Sequence, residues 1–200
     1  MIQAYIKNVN RLMDGLGAIA AALLILLVLI MTYNVVARYA FSDSSLGLEE
    51  LSWHFYASIF LLGIPYALKH GSHVRVDLLF ERFTPKTQSL IDLVGSVIFL
   101  IPTCLIIIWG GWNFTAAAYQ LGVQPDSIGS FFEQLVSTGI GEKSQDPGGL
   151  LNRWIIKAVI PLSFFFLLLA ASAFMLQRWC VFRGIDLEIE SSSDSGDRNA

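Results

Sequence analysis

The side chains in this sequence that could do chemistry are few, and their spacing limits what they can do. His70 and His73 form an H-x-x-H pair beside Arg75 and Asp77. A zinc site would need further ligands in a fixed tetrahedral geometry. Nothing in the sequence supplies them, and Lys69 and Arg75 would repel a cation. His54 stands alone in the first turns of an apolar stretch. Haem ligation there would call for a second intramembrane histidine, and no other apolar stretch carries one. Cys104 and Cys180 lie within or at the end of apolar runs, and neither a disulfide framework nor a zinc motif can be read from them. H-E-x-x-H, G-x-S-x-G and phosphate-cradling glycine loops do not occur. Nothing assembles a nucleophile, a base and an oxyanion donor. The expectation is a non-catalytic chain, with no cofactor and no metal of its own.

Charges in an unusual place are the stronger signal. The stretch "NVVARYAFSDSSLGLEELSWHFY", Asn34 to Tyr56, joins two of the most apolar segments yet carries Arg38, Asp43, Glu49 and Glu50. An ionisable residue inside a membrane segment costs on the order of 2.5–3.5 kcal/mol on insertion scales, so it usually has a partner and a purpose. Glu49 and Glu50 open a helix, where the positive end of the dipole favours carboxylates. The turn "SDSSLG" makes the flanking helices antiparallel and brings Arg38 to a similar depth. Two uses stay open on these residues: an exposed intrachain salt bridge worth little, or a contact with another polypeptide.

The elements that position these residues follow from composition. Of 200 residues, 54% are hydrophobic and only 14% charged, with a mean hydropathy of +0.60. Soluble domains carry about 25% charged residues, so the deficit indicates a bilayer solvent. The net charge of −3 and the lack of a large basic patch argue against a nucleic-acid partner. Four stretches approach or exceed the ~20 apolar residues that cross a bilayer: about 16–39, 48–68, 90–119 and 154–179. The first follows Lys7 and Arg11 as a signal peptide would, but its apolar run is too long for one, and retention is expected. The fold class is therefore an all-α integral membrane protein, with four transmembrane helices plus short amphipathic interfacial helices. Residues 1–15 read as a cytoplasmic tail, 16–180 as the membrane domain, 120–152 as a periplasmic insertion and 181–200 as a disordered cytoplasmic tail. The tail "DLEIESSSDSGDRNA" is polar and acidic with no apolar period.

Lys and Arg set the orientation. Nine fall in the two termini and the second connection, against four in the first and third connections, so both termini are expected in the cytoplasm. Pro65, Pro102 and Pro161 fall inside spans, where a neighbouring helix or a Ser/Thr hydroxyl usually meets the freed carbonyl. Gly17 with Ala21, Ala18 with Ala22, and Gly111 with Thr115 suit close helix packing. "VRVDLLFERF", residues 74–83, sets Val76, Leu79, Phe80 and Phe83 on one face, as in an interfacial helix that Thr84-Pro85 ends. In the third connection Ile128, Phe131, Phe132, Leu135 and Val136 share one face. That face is expected on the outer membrane surface or against a partner, followed by a Gly/Pro-broken loop, "GEKSQDPGG".

With these residues in hand, the chain resembles the small, DctQ-like membrane subunit of a tripartite ATP-independent periplasmic (TRAP) transporter. The resemblance rests on "NVVARYAF", "LEELSWHFY", "YALKHGSHVRVDLLFERF" and "RWIIKAVIPLSF", and covers roughly residues 34–174. It implies a bacterial inner-membrane complex in which a large multi-span subunit carries sodium and an organic acid. A periplasmic binding protein delivers the solute, and the small subunit widens the static scaffold. The resemblance further implies a subunit interface made by Arg38, Glu49, Glu50 and Trp53 near the periplasmic face. Arg75 and Asp77 would fix the cytoplasmic connection against the large subunit or against the rest of this one. The alternative from another class is the membrane anchor subunit of a haem/quinone redox enzyme, which would depend on His54. A self-sufficient small carrier is disfavoured, because four spans offer few intramembrane charges and no inverted repeat.

Overall fold

Backbone polar groups in lipid must be satisfied within their own segment, so apolar runs of this length fold as helices. The computed structural model describes residues 1–42, 45–70, 83–122, 124–125 and 127–184, and these are helical apart from their connections. Helix α1 runs over Ile2–Phe41 and α2 over Leu46–Lys69. Helix α3 (Pro85–Gly95) continues through a π-helical stretch (Ser96–Leu100) into α4 (Ile101–Gln120). A short α5 (Ile128–Ser137) lies in the third connection, and α6 spans Trp154–Arg183. Among the described residues, four helical units are long and apolar enough to cross a membrane: α1, α2, α3 with α4, and α6. Arg75, Asp77 and His73, the amphipathic pattern of 74–83 and the acidic tail from Ile185 onward lie outside the described residues, apart from Phe83 itself.

Residues 2–15, within the segment read from the sequence as a tail, are helical and continuous with the first span. The reason is packing. Ile6, Val9, Met13 and Leu16 recur at helical spacing and are buried, and Tyr5 Oη lies 2.7 Å from Ser172 Oγ on α6. The first two helices are antiparallel. Asp14 pairs with Lys69 at one end, while Arg38 faces Glu49 at the other. Helix α6 is the central element and packs against α1, α2, α3 and α4. Its Leu167, Ala170, Ala171 and Ala173 meet Val9, Met13 and Leu16 of α1, Leu68 of α2 and Cys104 of α4 in one buried cluster. Small side chains matter because lipid offers no hydrophobic drive between helices, so close backbone approach must supply the attraction. A Cβ on Gly17 would lie 2.5 Å from the Tyr66 ring, and one on Gly111 would lie 3.1 Å from Pro161 Cδ.

Each proline is accommodated differently. Pro102 removes an N–H and crowds the preceding turn, and the ladder opens into the π-helical stretch just before it. Pro65 is buried within α2 and leaves the Leu61 carbonyl without its usual i+4 donor. Ser163 Oγ, itself buried on α6, donates to that carbonyl. The proline gap and the interhelical bond are therefore one device. Ser163→Ala is expected to lower stability by about 1 kcal/mol, within the range of interhelical bonds in membranes. Unfolding titrations in mixed micelles measure it. In a Pro65→Ala background residue 65 supplies its own N–H, so the loss from Ser163→Ala should largely vanish; an unchanged loss would disprove the coupling.

Candidate functional site

Two adjacent glutamates at the start of α2 face different ways, because successive helical positions are rotated by about 100°. Glu49 turns toward α1, where its carboxylate lies 3.9 Å from Arg38; the two side chains are 52% and 49% exposed. This is a loose pair with capacity left for another charge. Directly below it, α1 and α2 form an open groove of about 550 Å³, lined by Leu27, Met31, Asn34, Val35, Ser52, Trp53 and Tyr56. Asn34 is buried, and its amide oxygen meets no donor among the described residues. Trp53 is mostly exposed and packs edge-on to Tyr56 at 6.4 Å, and Tyr56 in turn lies tilted against Phe60 at 4.8 Å. The face thus combines an aromatic ladder, an arginine and a glutamate. Buried interface centres are enriched in aromatic residues and arginine, the composition seen on this face.

Glu50 leaves that face altogether. Its Oε1 accepts from Ser144 Oγ at 2.6 Å and its Oε2 from the Leu150 backbone N–H at 2.6 Å. Both donors belong to a strap, residues 139–152, that folds over the start of α2. Within the strap, the Ser144 N–H donates to the Leu150 carbonyl at 3.0 Å, and just beyond it the Arg153 N–H donates back to the Glu142 carbonyl at 2.9 Å. The strap is seated on α4 by the Glu142 N–H, which donates to the Ala118 carbonyl at 2.8 Å. Glu142 also pairs with Lys157 of α6, whose ammonium lies 4.1 Å from the centre of the Phe114 ring. Gly141 (φ 70°) makes that seat possible, since a Cβ there would lie 2.8 Å from the Ala118 carbonyl oxygen. Asn152 (φ 60°) closes the strap. Its Oδ1 accepts from the Ile140 N–H at 2.6 Å and its Nδ2 donates to the Leu135 carbonyl at 2.8 Å.

Of the residues expected at an interface, Arg38, Glu49 and Trp53 come together on one face, whereas Glu50 is engaged within the chain. Sequence reasoning missed Ser144, Leu150 and Asn152. Only the glycines and the Asp146-Pro147-Gly148-Gly149 run hinted that this loop adopts a defined turn. His54 Nδ1 lies 2.7 Å from the Glu50 carbonyl and His70 Nδ1 3.1 Å from the Tyr66 carbonyl, so the two rings stand at opposite ends of α2. They cannot share a ligand. Among the described residues no three His, Cys, Asp or Glu side chains gather as a metal site would require.

The family described as tripartite ATP-independent periplasmic transporters, DctQ component, matches residues 27–181. A putative TRAP transporter small permease protein of Haemophilus influenzae is 29% identical over 112 residues, which cover 56% of this chain and 67% of that protein. A C4-dicarboxylate TRAP transporter small permease protein of Vibrio cholerae is 27% identical over 115 residues, covering 57% of this chain and 49% of that one. The sialic acid TRAP transporter small permease protein of the same species is 25% identical over 140 residues, 70% of each chain.

Proposed function

The chain belongs to the DctQ component family of tripartite ATP-independent periplasmic transporters, and from that premise we propose how it serves one. It is a multi-pass, non-enzymatic small permease subunit. In the proposed role it scaffolds the large membrane subunit during sodium-coupled uptake of an organic acid delivered by a periplasmic binding protein. The relatives' names support the solute class, since a C4-dicarboxylate and sialic acid are both organic acids. Sodium and solute sites are assigned to the large subunit, and no cofactor to this chain. The membrane is the bacterial inner membrane with both termini cytoplasmic, which the nine-to-four distribution of Lys and Arg favours.

The observation that carries the scaffolding role is the face made by Arg38, Glu49, Trp53 and the groove beneath them. Its charges sit at the ends of α1 and α2, with the apolar groove rather than a polar path beneath them. A face of this kind fits a neighbouring helix better than a hydrated solute. Arg75 and Asp77 are assigned to holding the cytoplasmic connection against the large subunit.

Reconstitution tests this. Proteoliposomes holding this chain alone are expected to accumulate no C4-dicarboxylate or sialic acid under an inward sodium gradient. Adding the large subunit and a solute-loaded binding protein should start uptake. Accumulation by the isolated chain would overturn the scaffolding role, and so would full uptake by the large subunit without it.

A further inference from the structure

Helix α5 divides its surface into three rows, each repeating every four residues. Phe131 and Leu135, with Ser130 and Gln134 beside them, are half-buried and face the rest of the protein. Gly129, Glu133 and Ser137 form an exposed polar row. Between these lies a third row, Ile128, Phe132 and Val136, which is apolar and 82%, 65% and 82% exposed. A helix on the rim of a membrane bundle, parallel to the bilayer, needs one side for protein, one for water and one for lipid. A helix standing in water beside the bundle would have no use for the third.

The surroundings fix its level. Ser127 caps its first turn, its hydroxyl accepting from the Ser130 N–H. Asn152 holds the last turn through the Leu135 carbonyl, and the same strap is hydrogen-bonded to Ala118 near the end of α4. Tyr119 and Trp154 stand there edge-to-face, 5.3 Å apart. Tyr and Trp gather at headgroup depth in membrane proteins, so the last turn of α5 is tethered to the level of the membrane surface. Phe114 in the second half of α4 and Leu121 just past its end are exposed apolar side chains as well.

We propose that α5 is an interfacial membrane anchor whose Ile128–Phe132–Val136 row is buried in the leaflet at the Arg38/Glu49 end of the bundle. The occupant of this face is lipid rather than a protein partner. Helix α5 carries no Lys or Arg, and its one charge, Glu133, is on the water-facing row. Contact is therefore with acyl chains and the glycerol region, and does not depend on anionic headgroups. The anchor would hold the ends of α4 and α6, and through the strap the start of α2, at constant depth while a bound partner moves.

Site-directed spin labelling in nanodiscs tests the placement, using the full chain with and without the large subunit. Buried Cys104 and Cys180 are first replaced by Ala, and single cysteines are introduced as Phe132→Cys, Val136→Cys, Glu133→Cys and Ser137→Cys. Labels at 132 and 136 are expected to collide several-fold more often with oxygen, which concentrates in lipid, than with a water-soluble nickel chelate. Labels at 133 and 137 should show the reverse, and adding anionic lipid should change neither. Equal nickel accessibility at 132 and 133 would place the helix in water and overturn the proposal. So would a label at 132 that the large subunit immobilises and shields from both reagents, since protein rather than lipid would then cover the row. The scaffolding role would survive either result, because it rests on the Arg38 face.

Discussion

Replacing Glu50 by Ala is expected to release the strap from α2 and to lower the stability of the whole chain by roughly 2–4 kcal/mol. The carboxylate accepts two short hydrogen bonds, from Ser144 Oγ and from the Leu150 N–H, each 2.6 Å long. Hydrogen bonds to charged groups contribute about 1.5–3 kcal/mol each. Partial exposure of Glu50 trims the sum, which is why the upper limit is not expected. Alanine also leaves the Leu150 N–H with no acceptor, and the Ser144–Leu150 bond that closes the strap loses its anchor. Amide exchange reads this directly: the Leu150 amide should exchange many-fold faster in the variant, while amides in the middle of α6 remain protected. Glu50→Gln keeps one neutral acceptor oxygen and should fall between the two. A Leu150 amide whose protection is the same in the Ala variant and the parent would remove Glu50 from this role.

That outcome separates what the sequence could say from what it could not. The four spans were legible because a run of about 20 apolar residues has few alternatives in water. The helical start of α1 was not, because residues 2–15 mix Lys7, Asn8, Asn10 and Arg11 among their apolar positions. The Ile6, Val9, Met13 and Leu16 stripe gains meaning only when α6 is there to bury it. The apolar face over 128–136 was visible as one face, but its division into a protein-facing and an exposed row depends on where the rest of the fold lies. At the candidate interface, the structure separates charges that the sequence groups together. Glu49 and Glu50 read as a pair in sequence, although adjacent helical positions cannot face the same neighbour. The partner of Glu50 lies about a hundred residues away, in a loop whose hydroxyl and backbone donors leave no periodic signature. Proline carried more information. The expectation that a neighbouring helix or a Ser/Thr hydroxyl would meet a freed carbonyl is fulfilled at Leu61, by Ser163 of α6.

Since Glu50 is committed to the strap, the docking role of this region must be tested on Arg38 and Glu49 alone; reversing both glutamates would mix a folding defect with a binding defect. Arg38→Glu is expected to reduce recovery of the large subunit with this chain at least about tenfold, equivalent to ~1.4 kcal/mol of binding. The reversal by itself does not say whether the lost interaction is with Glu49 or with the partner, because it also sets two carboxylates close together. The exchange Arg38→Glu/Glu49→Arg decides between them. An intrachain Coulomb attraction is nearly unchanged when its two charges trade places, so a plain salt bridge predicts that recovery returns. A partner that presents a complementary charge to each position meets the reversed pattern instead, and like charges across an interface cost several kcal/mol. The scaffolding role therefore predicts that recovery stays low in the exchanged protein while its own thermal stability returns to that of the parent. Trp53→Ala, which removes the exposed ring beside the pair without touching charge, should reduce recovery in the same direction, by about 2 kcal/mol if the ring is a central anchor. Full recovery in the exchanged protein together with an unaffected Trp53→Ala would reduce this face to a solvent-exposed bridge, and the large subunit would have to dock elsewhere on the bundle.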